Sequence, residues 1–242
     1  MLHSWGCHSK GCTLTLDTLL SRATWQTLYQ NPAFDTRFFV SNPGDLWRPL
    51  IQHENATYGD LIVLSDLEES KYVATHIKPL EFHKHIANSG LSWDYLAKLD
   101  DDSFLDAGTF YREFLLPDFQ KAEQSQTPSR MMVARRLKRP TYPAPGGQFY
   151  SISWELVDLI SRLYTESDIE GETEDVLVGR LLFEANEPFD WVELNDTRAF
   201  DIVEDLHQVG KMAINPHKMK DDETYLKVAQ MYDSDGYRGE RR

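Results

Sequence analysis

Residues 94–104 read DYLAKLDDDSF. The first part, Asp94 to Leu99, is short, apolar and aromatic, and reads as a buried strand. Three carboxylates, Asp100, Asp101 and Asp102, follow it at once. Like charges in a row repel one another unless solvent or a cation relieves them. They stand at the carboxyl end of a strand, where open α/β sheets bind ligands. Side chains alternate along an extended backbone, so Asp100 and Asp102 are expected to share a side while Asp101 points away. Two carboxylates on one side suit Mg²⁺ or Mn²⁺ holding a diphosphate. A solvated acidic turn is the plain alternative. An EF-hand is excluded, because no third ligand, glycine and distal glutamate follow at its offsets.

Outward from this stretch, short strands alternate with amphipathic helices. Arg37 to Val40 (RFFV) and Asp60 to Leu64 (DLIVL) read as buried strands, bounded by Pro43–Gly44 and Gly59. Glu69 to Ala87 reads as a helix that Pro79 must kink or restart. Phe104 to Leu116 reads as a helix with Phe110 and Phe114 one turn apart. Pro117 to Arg130 is polar with two prolines and reads as a surface loop. Met131 to Arg139 reads as an edge strand guarded by Arg135, Arg136, Lys138 and Arg139, in preference to an anion site. Ser153 is placed to cap a helix whose Leu156, Leu159, Ile160 and Leu163 form one apolar stripe. Glu174 to Ala185 is a further helix, with Val178, Leu181, Leu182 and Ala185 on one face, and Trp191 to Leu194 a late strand. From Asp233 the polar tail DSDGYRGERR reads as disordered. The alternation implies a single α/β domain with a largely parallel central sheet flanked by helices.

Composition narrows the function classes. The chain has 242 residues, enough for one large domain or two small ones. Lys and Arg number 25 and Asp and Glu 39, so 25 − 39 leaves a net charge of −14. That balance argues against nonspecific nucleic-acid binding and against simple docking on anionic lipid. Aromatic residues make up 12%, too many for a disordered acidic chain. No apolar run approaches the ~20 residues of a membrane span, and Met1 to Cys12 lacks the apolar centre of a signal peptide. The two cysteines, Cys7 and Cys12, lack the second pair of a structural zinc site and read as free or locally paired thiols. As given, the chain is expected to be soluble and cytosolic.

A second acidic cluster opens a helix at Glu174 to Gly179 (EDVLVG). Acidic residues in a first turn commonly do no more than complement the helix dipole. The same position also suits a general base, since a carboxylate near helix amides keeps its charge and can take a proton.

Several motifs taken in order resemble the inverting glycosyltransferases of family 31, the β-1,3-galactosyltransferase, N-acetylglucosaminyltransferase and Fringe group. Arg22-Ala23-Thr24-Trp25 resembles the family's R-x-T-W. Glu54 to Asp60 (ENATYGD), a strand and Asp66 resemble its E…YGD-strand-D. Lys78, Leu80, Phe82 and Lys84 resemble the helix that follows. KLDDDSF resembles K-x-D-D-D-x-F, and Tyr142-Pro143 with Gly147 to Ser153 resembles YP…GGGYxxS. Glu174-Asp175-Val176-x-x-Gly179 resembles E-D-V-x-x-G, and His217 the family's C-terminal histidine. Residues 1–20 match poorly, as in an N-terminally short member, leaving the transferase domain at 21–232 and a tail at 233–242.

The resemblance implies a GT-A fold and a Mn²⁺- or Mg²⁺-dependent transfer of a hexose, most simply galactose, from a UDP-sugar to a glycan hydroxyl with inversion. It implies Asp102 and His217 as metal ligands. Asp100, Asp101, Arg22 and Lys78 would serve the nucleotide side, and Asp175 would be the general base. A Golgi-lumenal location is implied where the native product carries an anchor, with Asn55 and Asn195 as glycosylation sequons. The rival classes are an inactive relative that binds metal and nucleotide or glycan, and a non-enzymatic acidic interaction domain.

Overall fold

The computed structural model describes residues 2–4, 31–165, 171–203 and 206–239. Arg22 with its R-x-T-W motif, Cys7 and Cys12 lie outside the described residues. The centre is a seven-stranded sheet in the order β3-β2-β1-β4-β6-β5-β7. Its strands are β1 (Leu2–Ser4), β2 (Arg37–Asn42), β3 (Leu61–Glu68), β4 (Tyr95–Asp100), β5 (Met131–Leu137), β6 (Ala144–Ser153) and β7 (Asp190–Glu193). All run the same way except β6, which is antiparallel to both β4 and β5. β1 lies between β2 and β4, so the poorly matched N-terminal stretch supplies a central strand.

Two apolar layers cover the sheet, and strand alternation feeds both. Phe38, Leu99, Val133 and Phe149 enter one, with Ile51, Phe110 and Val228 from helices α1 (Gly44–Tyr58), α3 (Ala107–Phe110) and α7 (Asp222–Gln230). Phe39, Leu96, Met132 and Tyr150 enter the other. There they meet α2 (Lys78–Ala87), α5 (Trp154–Leu163) and α6 (Glu174–Glu184). Successive strand residues thus enter opposite layers, as a strand buried on both faces requires.

The five expected strands are present as β2, β3, β4, β5 and β7, with ends shifted by a few residues. Pro79 restarts its helix as expected: a π-helical turn, Val73–Ile77, precedes α2, and the proline sits in α2's first turn, where no amide donor is lost. Four readings need correction. Pro117 to Arg130 is largely helical, because Pro117 occupies the first turn of α4 (Leu116–Ser125) and Gln126 closes it in the left-handed region at φ 53°. β5 is no edge strand, since β7 pairs with it as far as Ala134; only its basic end runs past that cover, with Arg135 on Asp196 at 3.0 Å and Arg136 4.9 Å over the Trp191 ring. Ser153 stands at the start of α5, but its hydroxyl accepts from the Met131 amide of the neighbouring strand instead of capping. The tail folds back as a hairpin, β10 (Tyr232–Asp233) against β11 (Gly236–Tyr237), with Tyr232 buried against Phe104. The helix α1 escaped the sequence reading because Pro43, Gly44 and Pro49 look like breakers.

Gly179 in α6 faces the turn before β6. A Cβ there would stand 2.5 Å from the Pro143 carbonyl oxygen and 2.8 Å from Ala144 Cα, both backbone. Gly179→Ala should therefore push α6 off the sheet and cost about 1–3 kcal/mol, read as a lower melting temperature. An unchanged melting temperature would contradict this packing.

Candidate active site

The carboxyl ends of the parallel strands open into a cleft of about 280 Å³. Asp100, Asp101 and Asp102 line it from the end of β4, His217 and Lys220 from the C-terminal part, and Thr173, Glu174 and Asp175 from the start of α6. Gly147, Lys98 and Lys71 complete much of its wall.

The backbone explains how His217 arrives there. β9 (Asn215–His217) pairs in parallel with β8 (Ala199–Asp201), which sets Asp201 opposite His217. The segment is then stitched to the chain after β4. Phe104 N donates to Pro216 O at 2.9 Å, Asp106 N to Ile214 O at 2.9 Å, and Met219 N to Asp102 O at 3.0 Å. The buried Asn215 amide adds a bond to Phe104 O at 2.9 Å. His217 Nε2 consequently lies 3.1 Å from Asp102 Oδ1 and 3.9 Å from Asp100 Oδ2. Its Nδ1 is 2.7 Å from Asp201 Oδ1. Asp100, Asp102 and His217 each offer one ligand atom within 4.8 Å of the others.

The expected pairing of Asp100 with Asp102 holds, but by another route. The chain turns after Asp100, with Ser103 N bonded to Asp100 O at 3.1 Å, so strand alternation does not extend to Asp102. Asp101 consequently also borders the cleft instead of turning away. Burial alone would raise Asp102, yet hydrogen bonds from His217 and Lys220 outweigh it and hold the carboxyl at about 2. Burial would lower His217, and its bonds to Asp102 and Asp201 outweigh that and push it up.

At the start of α6, Asp175 accepts from the Thr173 hydroxyl. Gly147 lies close against it: a Cβ on that glycine would be 3.2 Å from Asp175 Oδ2. Glu174, its neighbour, is buried and faces Lys98 Nζ from 3.5 Å. Lys78 does not border the cleft. It is fully buried, paired with Glu69 Oε2 at 2.5 Å. Sequence reasoning missed Lys98, Lys220 and Asp201. A lysine two residues before an acidic triplet is a usable signal for the first, but nothing in sequence tied Asp201 to His217.

The sheet order and this cleft define a GT-A glycosyltransferase fold. The crystal structure of the galactosyltransferase LgtC in complex with donor and acceptor sugar analogs is similar over 94% of each chain, with 10% identity and a TM-score of 0.50. A glycosyltransferase involved in glycosylation of the PBCV-1 major capsid has 12% identity over 80% of this chain and 98% of its own, at a TM-score of 0.44. No curated protein matches the sequence. The galactosyltransferase family model matches residues 21–187, so the chain belongs to the galactosyltransferase family and is a glycosyltransferase. Among the described residues no helix is long and apolar enough to cross a membrane.

Glu174 carries a testable signature. Burial pushes its carboxyl up to about 7, and Asp175 and Asp100 add to this, while Lys98 opposes it. The buried Tyr150 hydroxyl also faces it. The folded state therefore holds a proton that the unfolded chain releases near pH 4.5. Stability from this group is present at low pH and lost as pH rises to about 7. The melting temperature of Glu174→Gln relative to the parent should accordingly climb between pH 5 and pH 8. A difference that stays flat with pH would contradict the buried carboxyl.

Proposed function

We propose that the protein is an inverting, divalent-metal-dependent galactosyltransferase of the β-1,3 group, moving galactose from UDP-galactose to a glycan hydroxyl. One observation carries this reading: Asp100, Asp102 and His217 converge on a cleft that Asp175 also lines.

The donor set fits a cation. Two carboxylates and an imidazole suit Mn²⁺ or Mg²⁺, with manganese favoured by the nitrogen. Asp201 on Nδ1 orients the ring and leaves Nε2 toward the acids, the usual support of a metal-ligating histidine. Lys220 now stands against Asp102 on a side chain 67% exposed, free to swing away. Asp102, His217 and Asp100 would hold the ion, and a bound ion would stabilise charge on the departing nucleoside diphosphate. Asp101 would serve the nucleotide side from the cleft, whereas Lys78, buried on Glu69 and off the cleft, is set aside from that role and Arg22 lies outside the described residues.

Asp175 takes the proton from the acceptor hydroxyl as that oxygen attacks the anomeric carbon. Attack from the wall facing the leaving diphosphate inverts the centre in one displacement. The Thr173 bond fixes the carboxylate, and Gly147 leaves room for it and for the incoming sugar. The Golgi lumen is the compartment such a transferase would occupy. Of the two sequons, Asn195 is exposed, whereas the Asn55 side chain accepts from the Leu61 amide at 3.1 Å.

Two results are expected. UDP should raise the melting temperature only when Mn²⁺ is present, by binding the folded state, and Asp102→Asn should lose that shift while still folding. An equal UDP shift in EDTA would refute the metal-bridged site. Asp175→Asn should keep Mn²⁺–UDP binding and lower transfer by ~10²-fold or more. A well-folded Asp175→Asn protein with near-parental transfer would remove Asp175 as the base. If the parent binds Mn²⁺–UDP yet transfers from no donor, the inactive-relative reading replaces this one.

A further inference from the structure

Below the cleft lies a buried cation that the transfer chemistry above does not use. Alternation along β4 puts Leu96, Lys98 and Asp100 on one face. Leu96 enters the core beside α2 and α5, and Asp100 reaches the cleft. Lys98 lies between them, 5% exposed. An ammonium has three N–H donors. Lys98 reaches three elements: it donates to Asp100 Oδ1 of β4 at 2.6 Å and to the Gly147 carbonyl of β6, and forms an ion pair with Glu174 Oε1 of α6 at 3.5 Å.

Each acceptor adjoins one half of the site. Asp100 belongs to the cation cluster. Gly147 is packed against Asp175, and Glu174 precedes Asp175 at the start of α6. Among the ion pairs of the described residues, those of Lys98 are the ones that span from the end of β4 to Glu174.

We propose that Lys98 is a positioning residue, a three-way brace that sets the separation between the cation-binding end of β4 and the base at the start of α6. This rests on the assignment of Asp175 as base and of Asp100 to the cation site. A lysine suits the task because its compact charge sits on a flexible stem and can serve three acceptors in different directions. An apolar residue would leave the half-buried Asp100 and the buried Glu174 without the cation between them, and breaking such a cluster from one side is destabilising. The brace also matters through geometry, since a misplacement of about 1 Å between reacting groups can cost ~10²-fold in rate.

Charge balance and bracing separate in a variant cycle. Lys98→Met should lower the melting temperature of the metal-free protein by about 5 °C or more. Measured at pH 8, where the Glu174 carboxyl is ionised, adding Glu174→Gln should recover much of that loss, because its charge is removed as well. The turnover should not recover: kcat for UDP release from UDP-galactose with Mn²⁺ should stay ~10-fold or more below that of Glu174→Gln alone, with KM for UDP-galactose within about threefold. The brace is overturned if kcat in the double variant returns to that of Glu174→Gln, since Lys98 would then only balance charge. It is equally overturned if Lys98→Met alone keeps the parental kcat and melting temperature. Failure of the transferase reading shows elsewhere, as a parent protein that releases no UDP. In that event the melting cycle decides: strong coupling between positions 98 and 174 supports the brace, and additive losses refute it.

Discussion

The site depends on a set of backbone hydrogen bonds between the residues after β4 and the segment around β9. Asn215 and Phe104 are 111 positions apart in sequence, yet one bond from the buried Asn215 side-chain amide and three backbone bonds hold their two segments side by side. Without them Asp102 would be an acidic turn in water. With them it meets an imidazole at 3.1 Å, and that imidazole is held in turn by Asp201. The folding of the C-terminal third is thus a condition of the chemistry. Its hairpin and α7 contribute Tyr232, Tyr225 and Val228 to the same apolar layer as Phe104.

Electrostatics explains the cleft's unusual content. Asp100, Asp101, Asp102, Glu174 and Asp175 crowd one pocket of a chain with net charge −14. Unrelieved, such a cluster would oppose folding. Lys98 lies under it, and Lys220 and His217 lie across it, and these cations pair with the acids now nearest them. Lys98 is buried and shared among three elements, so it is part of the fold. Lys220 is largely exposed and bonded to a single carboxylate, so it is held far less firmly than Lys98.

Much of this was legible in sequence, and the misses have physical causes. Strands β2, β3 and β4 announce themselves because buried parallel strands are continuous apolar runs. The acidic triplet and EDV stand at element ends, where the reading of a strand or helix boundary also locates a site. α4 was hidden by Pro117 in its first turn and by polar residues on a solvent face, and α1 by Pro43 and Gly44 at its start and by Pro49 inside it. The role of Asp201 was hidden for a different reason. A side chain that orients a ligand has no spacing rule relative to it, and only the β8–β9 pairing brings the two together. The neutral tendency of Glu174 was also invisible, since it arises from how deeply the first turn of α6 is sunk against Lys98 and Tyr150.

The central claim is that this cleft transfers galactose from a uridine diphosphate donor with the help of a divalent ion. A panel of UDP-sugars incubated with the protein and Mn²⁺, with and without simple glycoside acceptors, and scored for released UDP tests it most directly. The expected result is release from UDP-galactose above all other donors, stimulated by an acceptor and abolished by EDTA. Release that is indifferent to EDTA, or absent with every donor in the panel, would contradict it.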